Sequence, residues 1–263
     1  MSNFLRFGKP SWWAYHWQRR NVLKFWWNHL NAKGFPADCA SLEQLVEFGR
    51  HYRIRGFNRE CIRSYIFWRL FKNYDCSSFV ETGSLYGETT SYVNRVFKTP
   101  IFTCEINKTY HIISKINLLW TRNIYKYLGD SPEFLDQVLQ PSLLGNNPMF
   151  YLDAHWRDHV PLGDELTLIA ERCEKALILV DDFKVPWNSD FLFDEYPSMT
   201  IDMDVLRSYL LNKRKDVTVY LPDYGVDQEP TGKGIGFAVV LMGQDRELPS
   251  QCFPFNLLGQ VVD

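Results

Sequence analysis

The chain lacks several features that would have placed it quickly. No run of about 18 apolar residues occurs, so no transmembrane helix is expected. The first ten residues, Met-Ser-Asn-Phe-Leu-Arg-Phe-Gly-Lys-Pro, carry neither the apolar core nor the small-residue cleavage site of a secretory signal. The six cysteines (39, 61, 76, 104, 173, 252) include no Cys-x-x-Cys pair. They read as reduced, mostly buried thiols of a cytoplasmic protein, not as a zinc knuckle or a disulfide framework. Neither sign of charge dominates: 29 Lys and Arg against 31 Asp and Glu leave a formal charge of −2. That balance gives no ground for expecting nucleic acid or an acidic membrane surface as a partner. The phosphate-binding Gly-x-Gly-x-x-Gly is absent, which disfavours a nicotinamide-dependent oxidoreductase. There is no internal repeat.

What the chain does have is apolar and aromatic weight. Of its 263 residues 46% are hydrophobic and 16% aromatic, enough for one substantial α/β domain with an appendage. Four of nine tryptophans fall within the first 26 residues. Residues 10–32 have helical periodicity but are apolar over much of their circumference. They are expected to pack on the main domain or across a homodimer interface, with a membrane-interface helix or a pocket lid as the alternatives. Ser41-Leu42-Glu43-Gln44 has capping-box spacing and starts a second helix to about Tyr52, and a third follows to about Asn73. Residues 1–75 thus form a helical, Trp-rich segment ahead of a domain spanning 76–263, although no Pro/Gly/Ser-rich linker separates them.

From Ser77 strands and helices alternate. Strands are expected at 78–82, 101–105, 124–128, 149–153 and 176–181, with helices from near Gly87, Lys108, Pro132 and Leu162. The pattern argues a parallel sheet with helices on both faces. An irregular stretch after Pro186, a helix near 202–212 and two strands at 217–221 and 235–241 complete the chain. The last two strands suit an antiparallel hairpin closing one sheet edge.

The organising stretch is Phe79-Val-Glu-Thr-Gly-Ser-Leu-Tyr-Gly-Glu-Thr-Thr90. A buried strand gives way at Glu81 to a turn with glycines at 83 and 87, where the backbone bends and lies close to a ligand. Glu81 there suits a ligand's ammonium group and would repel a pyrophosphate. All five strands end in polar or acidic residues: Glu81, Glu105, Gly129-Asp130-Ser131, Asp153-Ala154-His155 and Asp181-Asp182. In open α/β sheets ligands lie beyond the carboxyl ends of the strands, and Glu105, about 24 residues after Glu81, is placed to hold ribose hydroxyls.

This series, Glu81-x-Gly83-x-x-x-Gly87, then Glu105, Gly129-Asp130-Ser131 and Asp153, resembles the motifs of the class I S-adenosylmethionine (SAM) dependent methyltransferases over residues 77–243. The resemblance implies a Rossmann-like α/β sheet of seven strands, mostly parallel, with a C-terminal antiparallel hairpin. It implies a cofactor site drawn from Glu81, Thr82, Gly83, Ser84, Gly87, Thr89, Glu105, Asp130, Ser131 and Asp153. Within it Glu81 and Gly83 face the methionine end, Glu105 the ribose, and Asp130 and Ser131 the adenine. A narrower resemblance is to the catechol and macrocin O-methyltransferases. It implies Mg²⁺ held by Asp153, Asp181 and Asp182, and a small-molecule hydroxyl, on a sugar or natural-product intermediate, as methyl acceptor. The catechol-type pattern has an amide after the fifth-strand aspartate, where this chain has Asp182, as the macrocin type does. His155, near Asp153, is expected to act as general base or to contact substrate, with metal contact and a structural role as alternatives. Asp164 and Glu165 read as first-turn acids favoured by the helix dipole. Trp187 is a candidate pocket wall. A metal-free methyltransferase using His155, and a non-catalytic methyltransferase-like scaffold acting through the aromatic N-terminus, remain as rival readings.

Overall fold

The computed structural model describes residues 44, 45, 47, 56–155, 159–229, 234–245, 248 and 257–261. The Trp-rich stretch 10–32, most of the helix expected after Ser41 and the four-residue tip 230–233 lie outside them.

Five short apolar runs become parallel strands: β1 (Ser78–Thr82), β2 (Ile101–Glu105), β3 (Ile124–Leu128), β4 (Pro148–Leu152) and β5 (Ala176–Val180). In the sheet they stand in the order β3-β2-β1-β4-β5. β1, β2, β4 and β5 are buried at every residue, as parallel strands covered on both faces must be. Their side chains alternate between two cores. Phe79, Met149, Tyr151, Leu177 and Leu179 meet α1 (Cys61–Asn73). Val80, Phe150, Leu152, Ile178 and Val180 enter the other core, which holds Phe134 and Leu135 of α4 (Ser131–Val138) and Leu166 and Ile169 of α6 (Leu162–Arg172). Between β1 and β3 run α2 (Glu88–Phe97) and α3 (Lys108–Asn117), with a single turn α5 (Pro141–Leu144) leading into β4. Asn107 caps α3, accepting from the amides of Thr109 and Tyr110, and α4 is capped by Asp130 and not by Ser131, the Asp130 carboxylate accepting the Ser131 amide with Pro132 in the first turn.

The far side of the sheet departs from the expected count. β8 (Val217–Pro222) and β9 (Ala238–Met242) form the antiparallel hairpin, and β9 lies against β5. A further strand, β10 (Leu258–Gln260), pairs antiparallel outside β8, so among the described residues the sheet has eight strands and the hairpin does not end it. Three residues with a central glycine are too short to show a period. The stretch after Pro186 holds a separate small hairpin, β6 (Glu195–Tyr196) and β7 (Met199–Thr200). The helix near 202–212 is one α turn, α7 (Met203–Leu206), widening into a π turn over Arg207–Leu211. β4 and β5 stop one residue early, leaving Asp153 and Asp181 beyond the last ladder position.

α1 is apolar on nearly all sides and ten of its 13 residues are buried. Its first two amides, Cys61 and Ile62, donate to the Glu229 carboxylate at 2.9 and 2.8 Å, a cap supplied from the β8–β9 connection. The same turn carries Arg63, wholly buried, whose guanidinium pairs with Asp181, lies 2.7 Å from Glu60 Oε2, donates to the Ile235 carbonyl at 2.6 Å and stacks over Phe237. Asp181 and Glu60 thus share one cation. Burial, partly offset by Arg63, pushes Glu60 up to about 8, and burial pushes Glu229 up to about 7.

Such acids hold protons in the folded chain that the unfolded chain has already released. Their stabilising contribution is full below about pH 4.5 and is lost as pH rises through about 7 to 8. Each proton of difference gives a slope of about 1.4 kcal/mol per pH unit. Urea midpoints measured from pH 5 to 8 are expected to fall with pH. Glu60→Gln, which keeps an acceptor for the Ile235 amide (2.7 Å), flattens that fall.

Candidate functional site

The chain reverses direction across the sheet between β1 and β4, and the crevice at the carboxyl ends of these two strands is where such sheets bind ligands. Backbone bonds align the strand ends. The Asp153 amide donates to Thr82 O (3.1 Å), Gly83 and Ser84 to Cys104 O (3.2 and 2.9 Å), Gly129 to Glu105 O (3.1 Å) and Asp181 to Leu152 O (3.0 Å). All five polar strand ends predicted from the sequence therefore lie along one edge. A groove of about 520 Å³ lined by Tyr74, Asn147, Lys175 and Gln244 opens instead at the amino ends of the strands, away from these acids.

The first loop is held by its carboxylates. Glu81 is buried, and its Oε2 accepts from the hydroxyls of Thr90 and Thr103. Burial outweighs those bonds and raises its pKa to about 7. Glu105 accepts the amide of Leu85 on one oxygen and that of Asn107 on the other, both at 2.8 Å, and burial raises it as well. Each Glu105 oxygen keeps a second lone pair. Gly83 sits at φ +83°, and a Cβ there would stand 2.1 Å from the Asp153 carbonyl oxygen. The close approach its missing side chain permits is thus to the backbone at the end of β4. Ser84 is buried in the same turn and accepts the Gly87 amide at 2.6 Å. Thr89, grouped with the cofactor residues, instead accepts the amide of Phe57 and ties the turn before α1 to α2.

At the end of β3, Asp130 caps α4 and meets His159 Nε2 at 2.8 Å. Glu165 was expected only to complement the helix dipole as a first-turn acid. It is buried to 1% exposure, and burial raises it to about 6 against the pull of nearby His155. One Glu165 oxygen and the buried Ser131 hydroxyl meet no hydrogen-bond partner, the condition expected where a ligand's polar groups complete a site.

At the ends of β4 and β5 the four acidic and imidazole residues part into two groups. His155 Nε2 lies 2.9 Å from Asp182 Oδ2, 3.9 Å from Asp153 Oδ1 and 4.0 Å from Asp194 Oδ2. One ligand atom each from Asp153, His155 and Asp182 lie within 4.8 Å of one another, close enough to share a metal ion. Burial lowers the pKa of His155, but the bond to Asp182 and the surrounding carboxylates outweigh burial and leave it above the ordinary imidazole value. Burial, then crowding by Asp181 and Asp182, holds Asp153 well above the usual carboxylate range. The Tyr196 ring meets that of His155 edge-on at 6.1 Å between centroids while its hydroxyl donates to Asp194 at 2.5 Å, which sets the β6–β7 hairpin beside this group. Asp181 faces Arg63 and stands apart from it. Trp187 also lies elsewhere, donating to the Pro222 carbonyl at 3.0 Å.

No protein-family model matches the chain, and no curated protein matches it. Solved structures do. A Staphylococcus aureus protein assigned to the caffeoyl-CoA O-methyltransferases superposes over 86% of this chain and 99% of its own, at a TM-score of 0.50 and 14% identity. The Bacillus cereus O-methyltransferase in complex with SAH covers 79% and 92% (TM-score 0.48, 15% identity). The Streptomyces achromogenes O-methyltransferase TomG, in complex with SAM and involved in tomaymycin synthesis, covers 86% and 99% (TM-score 0.48, 16% identity). What the chain shares with the first of these is the fold, a mostly parallel Rossmann-like sheet flanked by helices.

The Gly83 approach is open to a direct test. Gly83→Ala meets both an unfavourable φ and the Asp153 carbonyl, so it is expected to lower stability by about 2 kcal/mol or more, read as a shift in urea midpoint.

Proposed function

We propose that the chain is a SAM-dependent methyltransferase acting on a hydroxyl of a small molecule, with a divalent cation assisting. The observation that carries this reading is the convergence of Glu81, Glu105, Asp130–Ser131 and the Asp153–His155–Asp182 group at the switch point of this fold. Buried acids beside unpartnered polar atoms fit a cationic, hydroxyl-rich ligand. Glu81 would face the ammonium of the methionine moiety, Glu105 would accept from the ribose hydroxyls through its remaining lone pairs, and Ser131 would border the adenine. The bound cofactor supplies a methyl group on a cationic sulfur.

The chain's own part is placement and charge. Transfer of a methyl group is an in-line displacement, so the protein gains most by holding the acceptor oxygen close and aligned while excluding water. Asp153, His155 and Asp182 are the residues that would hold a divalent ion, magnesium in the reading from the sequence. Such an ion lowers the pKa of a coordinated hydroxyl and orients it. A second reading, without metal, is favoured by the 2.9 Å bond between His155 and Asp182, an arrangement that orients an imidazole to take the hydroxyl proton itself. A chelator abolishes activity on the first reading and leaves it intact on the second. A cytoplasmic location accords with the absence, among the described residues, of any helix long and apolar enough to cross a membrane.

Calorimetric titration of the chain with SAM and with its demethylated product tests the proposal. Binding is expected for both. Glu105→Ala, which removes the ribose acceptor and releases the Leu85 and Asn107 amides, is expected to weaken it by roughly a hundredfold, as loss of charged hydrogen bonds of about 1.5–3 kcal/mol each implies. Absence of binding by either ligand refutes the methyltransferase reading.

A further inference from the structure

Sequence places Asp181 and Asp182 together on the metal, and the folded chain sends them in opposite directions. Asp181 is wholly buried with both oxygens occupied. Oδ1 takes Arg63 Nη1 and the amide of Asp182 at 2.9 Å, and Oδ2 takes the Tyr151 hydroxyl and Asn58 Nδ2 at 3.0 Å. Four donors, one of them a full cation, use up a carboxylate's acceptor capacity. Asp182 has a left-handed backbone at φ +51°, and its side chain points to His155 instead.

We infer that Arg63 acts as a built-in cation at Asp181, so that the exchangeable ion is held by Asp153, His155 and Asp182 and is a first-row transition ion in preference to Mg²⁺. The inference rests on the metal-assisted reading above and refines it. Mg²⁺ favours an all-oxygen shell and parts with its waters reluctantly, whereas imidazole nitrogen suits the softer divalent ions. The charges agree: with Asp181 neutralised by Arg63, the remaining two carboxylates match one dication. Arg63 is then a positioning residue. It fixes Asp181, Asp181 holds the Asp182 amide, and that bond directs the Asp182 carboxylate to the ion.

The test uses the full chain stripped of metal and titrated with Co²⁺, followed by its visible absorption, with Mg²⁺ as competitor. Co²⁺ is expected to bind and to yield only to Mg²⁺ in excess of about a hundredfold. His155→Gln and Asp182→Asn each weaken Co²⁺ binding by roughly tenfold or more. Asp181→Asn keeps an acceptor for the Asp182 amide and leaves Arg63 beside Glu60, and it changes binding by less than about threefold. Spin-echo modulation from a coordinated nitrogen in the Mn²⁺-loaded wild-type chain reads the imidazole with no substitution at all. No Co²⁺ binding, no nitrogen modulation, equal competition by Mg²⁺, or a loss in Asp181→Asn matching that in Asp182→Asn overturns the inference. Because the ion itself is the readout, Co²⁺ bound through His155 by a chain that ignores SAM refutes the proposed function and not this assignment. The converse result refutes this assignment alone.

Discussion

A single guanidinium, that of Arg63, sits where four parts of the chain meet: α1, the residue after β5, the approach to β9 and the turn that precedes α1. Buried ion pairs add little to stability when compared with an apolar replacement, but removing one partner leaves a charge stranded at a cost of about 3–5 kcal/mol. The pair therefore specifies an arrangement more than it strengthens one. α1 is bound to the sheet by polar contacts that only one placement satisfies. Its N-terminal amides end on Glu229 and its arginine ends on Asp181, so the part of the N-terminal segment described here is built into the same core as the strands.

The crevice acids divide by their partners. Glu81, Glu105 and Asp181 accept from threonine hydroxyls, backbone amides and a guanidinium, and so hold the frame in shape. Asp153 and Asp182 have fewer internal donors and gather around His155, and one oxygen of buried Glu165 has no partner. Burial, with neighbouring carboxylates adding to it, raises all three, which makes the crevice favourable to a cation. The same geometry serves structure and ligand with one set of charges.

Much of this was legible in the sequence. Short apolar runs, each closed by an acid, gave the five parallel strands almost to the residue, and their order put the acids on one edge. Local signals carried no information about partners distant in sequence. Arg63 and Asp181 are separated by 118 positions, and nothing in either neighbourhood announces the other. Thr89 and Thr90 look equivalent until the helix turn sends one to Phe57 and the other to Glu81. Glu165 was hidden behind a sufficient helix-dipole explanation, and β10 is too short for any period to show.

The left-handed backbone at residue 182 sets limits of its own. Among L-residues that conformation is readily adopted by asparagine and aspartate, and otherwise by glycine. Substitution among these residues costs the backbone least at this site. The amide of the catechol-type pattern and the acid found here both suit that conformation. Exchange between them changes the charge at the crevice while leaving the chain's path unchanged, so the crevice can be recharged here without being refolded.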